Sequence, residues 1–174
     1  MANAEDAVQI RYAERDELKE IAAFLHECWQ EEYRQIVSDD FLDTMSIAER
    51  HERLLKRFDE NTSDFMVMHD EGRLIGASVF GKSFTEGFED DGEISAIYLN
   101  HGYIGKGYGH TLFTRIEREL AAKGYDYLVL DLLKGNTQAL KFYLDHGYEN
   151  VADRHVRLGE NDYPLVVLRK KVTS

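Results

Sequence analysis

Four glycines fall within the eight residues from Gly102 to Gly109, between a stretch that reads as a strand and one that reads as a helix. On the upstream side, Glu93-Ile94-Ser95-Ala96-Ile97-Tyr98-Leu99 has the alternation and the β-branched and aromatic content of a strand. On the downstream side, Leu112, Phe113, Ile116 and Leu120 recur on one helical face. Glycines let the backbone turn where a Cβ would clash, and the first N–H groups of a helix have no partner inside it. Those donors, added to the helix dipole, suit a phosphate or pyrophosphate.

Two common phosphate loops are excluded by spacing. The dinucleotide fingerprint Gly-x-Gly-x-x-Gly fails, because the sixth position is His110 when counted from Gly105 and Leu112 when counted from Gly107. The P-loop fails because Asn100 stands where its first glycine belongs and Gly107 follows Lys106. The spacing that fits is that of the acyl-CoA loop of the GNAT N-acetyltransferases, Arg/Gln-x-x-Gly-x-Gly/Ala. Gly107 and Gly109 fill its two small positions, and Ile104 stands where the family usually has Arg or Gln. That departure removes one side-chain contact and leaves the backbone cradle. A second strand, Tyr127 to Leu133, precedes Asn136-Thr137-Gln138-Ala139-Leu140-Lys141-Phe142-Tyr143-Leu144-Asp145-His146-Gly147-Tyr148. This resembles the family's second motif, Asn-x-x-Ala-x-x-Phe-Tyr-x-x-x-Gly-Phe, with Tyr148 in the last place. The resemblance extends over roughly residues 8 to 170, and its specific part is 91 to 148.

The resemblance implies an α/β fold of the GNAT acyl-CoA N-acyltransferase type, with a mixed, mostly antiparallel sheet flanked by helices. It implies acetyl-CoA as co-substrate and acetyl transfer by direct attack to a primary amine of a small molecule or peptide. Coenzyme contacts fall on Ile104, Gly105, Lys106, Gly107, Tyr108, Gly109 and His110 in the loop, and on Asn136 and Tyr143 in the second motif. The pantetheine arm is expected to run along the backbone of Ile97, Tyr98 and Leu99, where the family's sheet splays open and one N–H can polarise the thioester. Tyr143 is expected to act as general acid toward the leaving sulfur; the plain alternative is a packed helix aromatic beside Phe142. Glu93 is the candidate base, set against an exposed strand-end carboxylate in an acidic run. A rival reading from another class is a catalytically silent acyl-CoA-binding regulatory module, and Ile104 is the feature that leans that way.

Composition narrows the rest. With 174 residues, 43% hydrophobic content, ten Tyr and nine Phe, the chain reads as a single folded domain over 1–174. One cysteine, Cys28, excludes an internal disulfide, and the seven histidines show no zinc-ligand spacing, so no metal is expected. No apolar run is long enough for a membrane, and Met1 to Asp6 does not read as a leader. The expectation is a soluble protein of the reducing cytoplasm. The net charge of −12 argues against nucleic acid and would draw cationic small molecules, although many acidic chains are acidic for solubility alone.

The remaining elements follow from local signals. Val8 to Tyr12 reads as a strand, and Asp16 as the cap of a helix running to about Trp29. Glu31 to Asp43 reads as an irregular joint. Ser46-Ile47-Ala48-Glu49 is a capping box that starts a helix ending near Phe58. Phe65 to His69 and Leu74 to Phe80 form a hairpin about Asp70-Glu71-Gly72-Arg73. The acidic loop Ser83 to Asp91 precedes the central strand. Arg154 to Leu158 and Tyr163 to Leu168 close the chain as a second hairpin, and Pro164 is expected at an unpaired position. The amine pocket is expected from Trp29, Tyr33, the acidic loop and the last hairpin. An exposed sheet edge or that hairpin is where two copies could pair.

Overall fold

The structure, a computed structural model, describes residues 8–172, so the stretch Met1 to Asp6 lies outside it. The first strand, β1 (Val8–Tyr12), leads into a 3-10 turn at Arg15–Glu17 and then α1 (Leu18–Glu32). The start is not capped by Asp16. Glu17 reaches back 2.6 Å to accept the Glu14 N–H and also pairs with Arg11, which leaves Asp16 inside the turn. The buried face of α1 is Leu18, Ile21, Ala22, Leu25 and Cys28, as periodicity predicts.

The joint holds a helix that the sequence did not announce, α2 (Asp39–Thr44). Six residues are too few for a periodic pattern, and only Leu42 is buried. Its one local signal is Ser38, whose hydroxyl accepts the Phe41 N–H at 3.3 Å. Ser46 does the same for Glu49 at 3.2 Å and starts α3 (Ile47–Asp59) where its motif places it. Next come β2 (Ser63–Asp70) and β3 (Arg73–Lys82). Glu71 and Gly72, at φ 49° and 80°, form the two-residue turn of left-handed conformation that matches strand twist. The chain continues through β4 (Gly92–Leu99), α4 (Tyr108–Ala122), β5 (Tyr127–Leu133) and α5 (Thr137–Asp145). It ends with β6 (Glu149–Leu158) and β7 (Asn161–Lys171). These last strands outrun their apolar segments. Their outer ends, where Glu149 pairs with Arg169, are polar and are held by the ladder and by the ion pairs of Arg169 with Asp91 and Lys170 with Glu117. Pro164 lies beyond the last β5–β7 pair, Leu133↔Leu165, and its carbonyl accepts the Lys134 N–H at 2.9 Å.

The seven strands form one sheet in the order β1-β2-β3-β4-β5-β7-β6. All neighbours are antiparallel except β4 and β5, which are parallel. Helices α4 and α5 cover one face, where Phe113, Ile116 and Leu120 meet Ile94, Leu128 and Leu130. Helices α1 and α3 cover the other, where Leu18, Leu25 and Leu54 meet Phe65, Val67 and Val79. The α2 joint extends that second layer over Val129, Leu133 and Val167.

Phe113 is fully buried and ties α4 to α5 through rings of Phe142, Tyr143 and Tyr148 with centroids at 5.3, 5.6 and 5.6 Å. Edge-to-face packing of this kind adds to area burial. Phe113→Ala is therefore expected to lower unfolding free energy by about 3–5 kcal/mol in urea titrations. An unchanged midpoint would mean that this aromatic layer contributes nothing to the link between the two helices.

Candidate functional site

The glycine loop is pinned from outside and bare inside. The Asn100 N–H donates to the Ile75 carbonyl at 2.7 Å, and its side chain accepts the Gly102 N–H at 3.0 Å. Tyr103 donates its hydroxyl to Asp70 at 2.8 Å and packs against Tyr108 at 5.4 Å. Beyond that anchor, Gly105 and Gly107 take φ of 82° and 89°, a region that other residues rarely adopt. The first intrahelical bond of α4 is Thr111 N–H to the Gly107 carbonyl. Among the described residues, the six N–H groups from Gly105 to His110 donate to no protein acceptor. This is an anion cradle of main-chain donors at a helix start. A Cβ at either left-handed glycine would meet open space, which is the space an anion would take. Gly109 serves packing instead. A Cβ there would lie 3.3 Å from Leu99, so its bareness brings the helix close to β4.

The side chains around the cradle have distinct surroundings. Ile104 is 42% exposed and overhangs the cleft with Leu99. Lys106 is exposed, with Nζ 6.0 Å from the Tyr103 ring centre. His146 donates Nδ1–H to the Phe142 carbonyl at 2.7 Å, so its Nε2 accepts from His110 Nδ1 at 2.8 Å. That chain fastens the first turn of α4 to the end of α5.

From the cradle, a cleft of about 490 Å³ runs between α4, α5 and the free edge of β4, past Ile97, Tyr98, Leu99, Ala139, Phe142 and Tyr143. The edge is free because β4 and β5 pair only at Gly92↔Leu128 and Glu93↔Val129. Beyond those two pairs, β4 bonds only to β3 and β5 only to β7, so the parallel strands open like a V. A narrow passage of about 40 Å³ crosses the sheet in the opening, lined by Tyr33, Ser95, Tyr98, Asp131, Asn136 and Tyr143. It leads to a second cleft of about 370 Å³ on the α1/α3 face, lined by Trp29, Tyr33, Arg50, Arg53, Arg57 and Asp131 among others. A wider cleft of about 990 Å³, between the end of α1 and the start of α5, shares Leu99, Ile104 and Asn136 with the cleft beside the cradle.

Three tyrosines crowd the passage. Tyr33 and Tyr98 share a hydrogen bond at 3.3 Å. Burial raises the pKa of Tyr143, Tyr98 and Tyr33, with charges of the same cluster adding to the effect, so these phenols keep their protons at neutral pH. Asn136 is 9% exposed; its Oδ1 caps α5 by accepting the Ala139 N–H at 3.2 Å, and its Nδ2 donates to Glu32 at 2.7 Å. One hydrogen of that Nδ2 is left for another acceptor. Burial raises the Glu32 carboxyl. Cys28 is pushed up to about 12, first by burial, and so remains a thiol.

Glu93 is 8% exposed and receives three hydroxyls: Ser83 at 3.2 Å, Thr85, and Ser95 at 3.1 Å. Ser95 also lines the passage and the second cleft, which joins the buried carboxylate to open space. Asp131 opens into the same cleft, and its carboxyl is raised first by burial and then by the charge of Glu93. The acidic loop sits elsewhere than expected. It buttresses Glu93 from below, while α3 forms the wall of the second cleft. Asp91 is no solvated edge: it is buried in a two-point pair with Arg169 at 2.6 and 3.0 Å. Trp29, Tyr33 and the last hairpin do line that cleft. Sequence reasoning passed over Asp131, Ser95 and the three arginines. The available signal was Arg50, Arg53 and Arg57 at i, i+3 and i+7, one face of a helix in an acidic chain.

Comparison with known proteins agrees with this architecture. The family model described as Acetyltransferase (GNAT) family matches residues 18–148. An uncharacterized N-acetyltransferase of Bacillus subtilis, YuaI, is 26% identical over 148 residues, covering 84% of this chain and 83% of its own. The PaiA N-acetyltransferase of Thermoplasma acidophilum, solved in complex with coenzyme A, superposes with a TM-score of 0.76 at 23% identity, over 95% of this chain and 99% of that one. YncA, a putative acetyltransferase of Salmonella typhimurium solved with acetyl-CoA, gives 0.72 at 19% identity, over 95% and 94%. With the cradle, the opened sheet and the family match in agreement, the chain belongs to the GNAT family of acetyltransferases.

Proposed function

We propose that this acetyltransferase moves the acetyl group of acetyl-CoA to a primary amine of a small molecule or peptide by direct attack. The observation that carries the reading is the V between β4 and β5, which joins an anion cradle on one face of the sheet to a polar cleft on the other. The cradle fits a diphosphate, because six consecutive main-chain donors at a helix start have no protein acceptor among the described residues and the two left-handed glycines leave open space beside them. Acetyl-CoA would supply the thioester. The unpaired edge at Ile97, Tyr98 and Leu99 would hold its pantetheine amides as a neighbouring strand does.

Each chemical step then has a residue. An edge N–H of β4 stabilises the charge that grows on the carbonyl oxygen. Asp131 draws in the ammonium form and orients it. The ammonium gives one proton to Ser95, which passes its own to Glu93, so the buried carboxylate acts as base through one hydroxyl and the neutral amine attacks. As the C–N bond forms and the C–S bond breaks, Tyr143, kept protonated by burial, gives its proton to the departing sulfur, and the second proton leaving the nitrogen returns to Tyr143 through solvent. Asn136 holds α5 and Glu32 in place around that phenol.

Replacing Tyr143 by Phe is expected to lower kcat by about 10²-fold with coenzyme Kd little changed. Equal turnover would remove Tyr143 from the mechanism. Gly107→Val, which forces a β-branched residue to φ near 89° and fills the anion space, is expected to abolish CoA binding in calorimetry. Normal binding would refute the loop assignment, whereas binding by the parent chain without turnover on any amine would mark a silent module. Asp131→Asn separates binding from stability. The folded pKa of Asp131 is raised, so its contribution to stability is present below the unfolded pKa and is lost as pH rises through the folded one. The variant should therefore melt higher than the parent near neutral pH, with the gap closing in acid, while its amine KM rises.

A further inference from the structure

Acetyl transfer alone leaves the amine open, and the second cleft narrows it. Arg50, Arg53 and Arg57 share one face of α3 and all line that cleft. Of the nine arginines outside the cleft, six meet a carboxylate, namely Arg11, Arg15, Arg34, Arg115, Arg157 and Arg169, and Arg154 donates to the Glu86 carbonyl, while Arg73 and Arg118 are unpaired among the described residues but scattered. Among the described residues, the three cleft arginines have no ion pair and donate no side-chain hydrogen bond to the protein. Two of them rest on aromatic rings instead, Arg50 at 5.9 Å from the Trp29 centre and Arg57 at 5.0 Å from Phe84. Stacking fixes a guanidinium plane and leaves its N–H edge to meet something else. Arg50 is also half-buried, and burial lowers its pKa. A recessed cation without a carboxylate is unfavourable unless a ligand completes it.

Three unpaired arginines on one wall are at odds with a chain of net charge −12. The global field favours cations, but it is screened over about 8 Å at physiological salt, so the charges inside the cleft decide what settles there. The lining of the same cleft also carries Asp131, and Ser95 on that lining is hydrogen-bonded to the buried Glu93. The cleft thus combines three arginines from one helix with a carboxylate, beside Trp29 and Tyr33. Its volume of about 370 Å³ is at the small end of ligand pockets, which run from roughly 300 to 1,000 Å³.

We infer that the acceptor is a small zwitterion, a primary amine that also carries a carboxylate or phosphate, with its anionic group held by Arg50, Arg53 and Arg57 and its ammonium directed to Asp131. This rests on the acetyl-transfer reading and goes on to name the acceptor's chemistry. A bidentate guanidinium–oxyanion contact is geometrically selective as well as strong. A polyamine would put a second positive charge against the arginine wall, and an uncharged amine would leave the wall unpaired.

The test uses matched pairs with acetyl-CoA: free amino acids against their decarboxylated amines, and phosphoethanolamine against ethanolamine. Amines bearing the anion are expected to give kcat/KM at least about tenfold higher than their counterparts, the two series telling carboxylate from phosphate. Arg50→Gln and the more exposed Arg53→Gln should each erode that ratio through KM, and Arg50→Lys should restore part of it. Equal use of both members of each pair, or variants that lower both members alike, would overturn the inference. Should no amine be acetylated, the same pairs are titrated calorimetrically into the CoA-loaded protein. Anion-dependent binding that weakens in the arginine variants would then uphold the zwitterion site while the catalytic reading fails, and its absence would overturn both.

Discussion

The contact between β4 and β5 is where the structure and its chemistry meet. It consists of two register pairs, Gly92↔Leu128 and Glu93↔Val129. Gly92 makes the close approach feasible, because a Cβ there would lie 2.9 Å from Leu128 and 3.0 Å from Tyr125. Asp91, one residue earlier, is held by Nε and Nη2 of an Arg169 side chain that also stacks 3.8 Å from the Tyr127 ring centre. The strands are therefore clamped at one end. A register shift between Val79 and Phe80 then re-aims β4 along β3, and the two parallel strands part. Backbone groups left without partners in a protein interior are unfavourable, so an opening of this kind persists only where something polar can enter it. The same clamp that closes one end of the sheet leaves the other end an unpaired edge.

Much of this was legible in the residues because the signals were local. A glycine loop between a strand and a helix predicts bare N–H groups without knowledge of the fold. Asn136 predicts the start of α5 through capping, and Asp70-Glu71-Gly72-Arg73 predicts the hairpin between β2 and β3. The unread parts depend on contacts distant in sequence. Nothing in Tyr127 to Leu133 distinguishes Asp131 from any outward strand residue; it matters because β4 leaves, so that its carboxylate opens into a cleft instead of lying against a neighbour. The cleft arginines look like a solvated helix face until α3 is seen against Trp29 and Tyr98. Asp91 looked like one more charge in an acidic run, and its burial is set by Arg169, 78 residues away.

Glu93 shows how one residue can satisfy two accounts. As a strand-end carboxylate it would be unremarked, but three hydroxyls from two segments converge on it. The carboxylate is enclosed, at 8% exposure, and of its three donors Ser95 is the one that also lines the second cleft. Asp131 stands apart, its carboxyl raised first by burial and then by the charge of Glu93. The two acids thus have different surroundings: Glu93 is enclosed by hydroxyls, and Asp131 lines the open cleft.

Charge poses the remaining question, since an acidic chain must hold a polyanionic co-substrate and, with a zwitterionic acceptor, a second anion as well. The two faces of the sheet answer it differently. On the coenzyme face the donors are peptide N–H groups, which carry no formal charge and do not enter the net balance. Their strength comes from alignment at a helix start and falls off within a turn, so they bind locally without altering the distant field. Ile104, an apolar residue in place of an arginine, is consistent with a cradle that relies on the main chain. On the other face, under the proposed zwitterion reading, formal charge is used, sunk in a cleft and spaced along one helix, where the acidic surface is screened from it. On that reading a negative exterior and two anion sites coexist because each acts over a different distance.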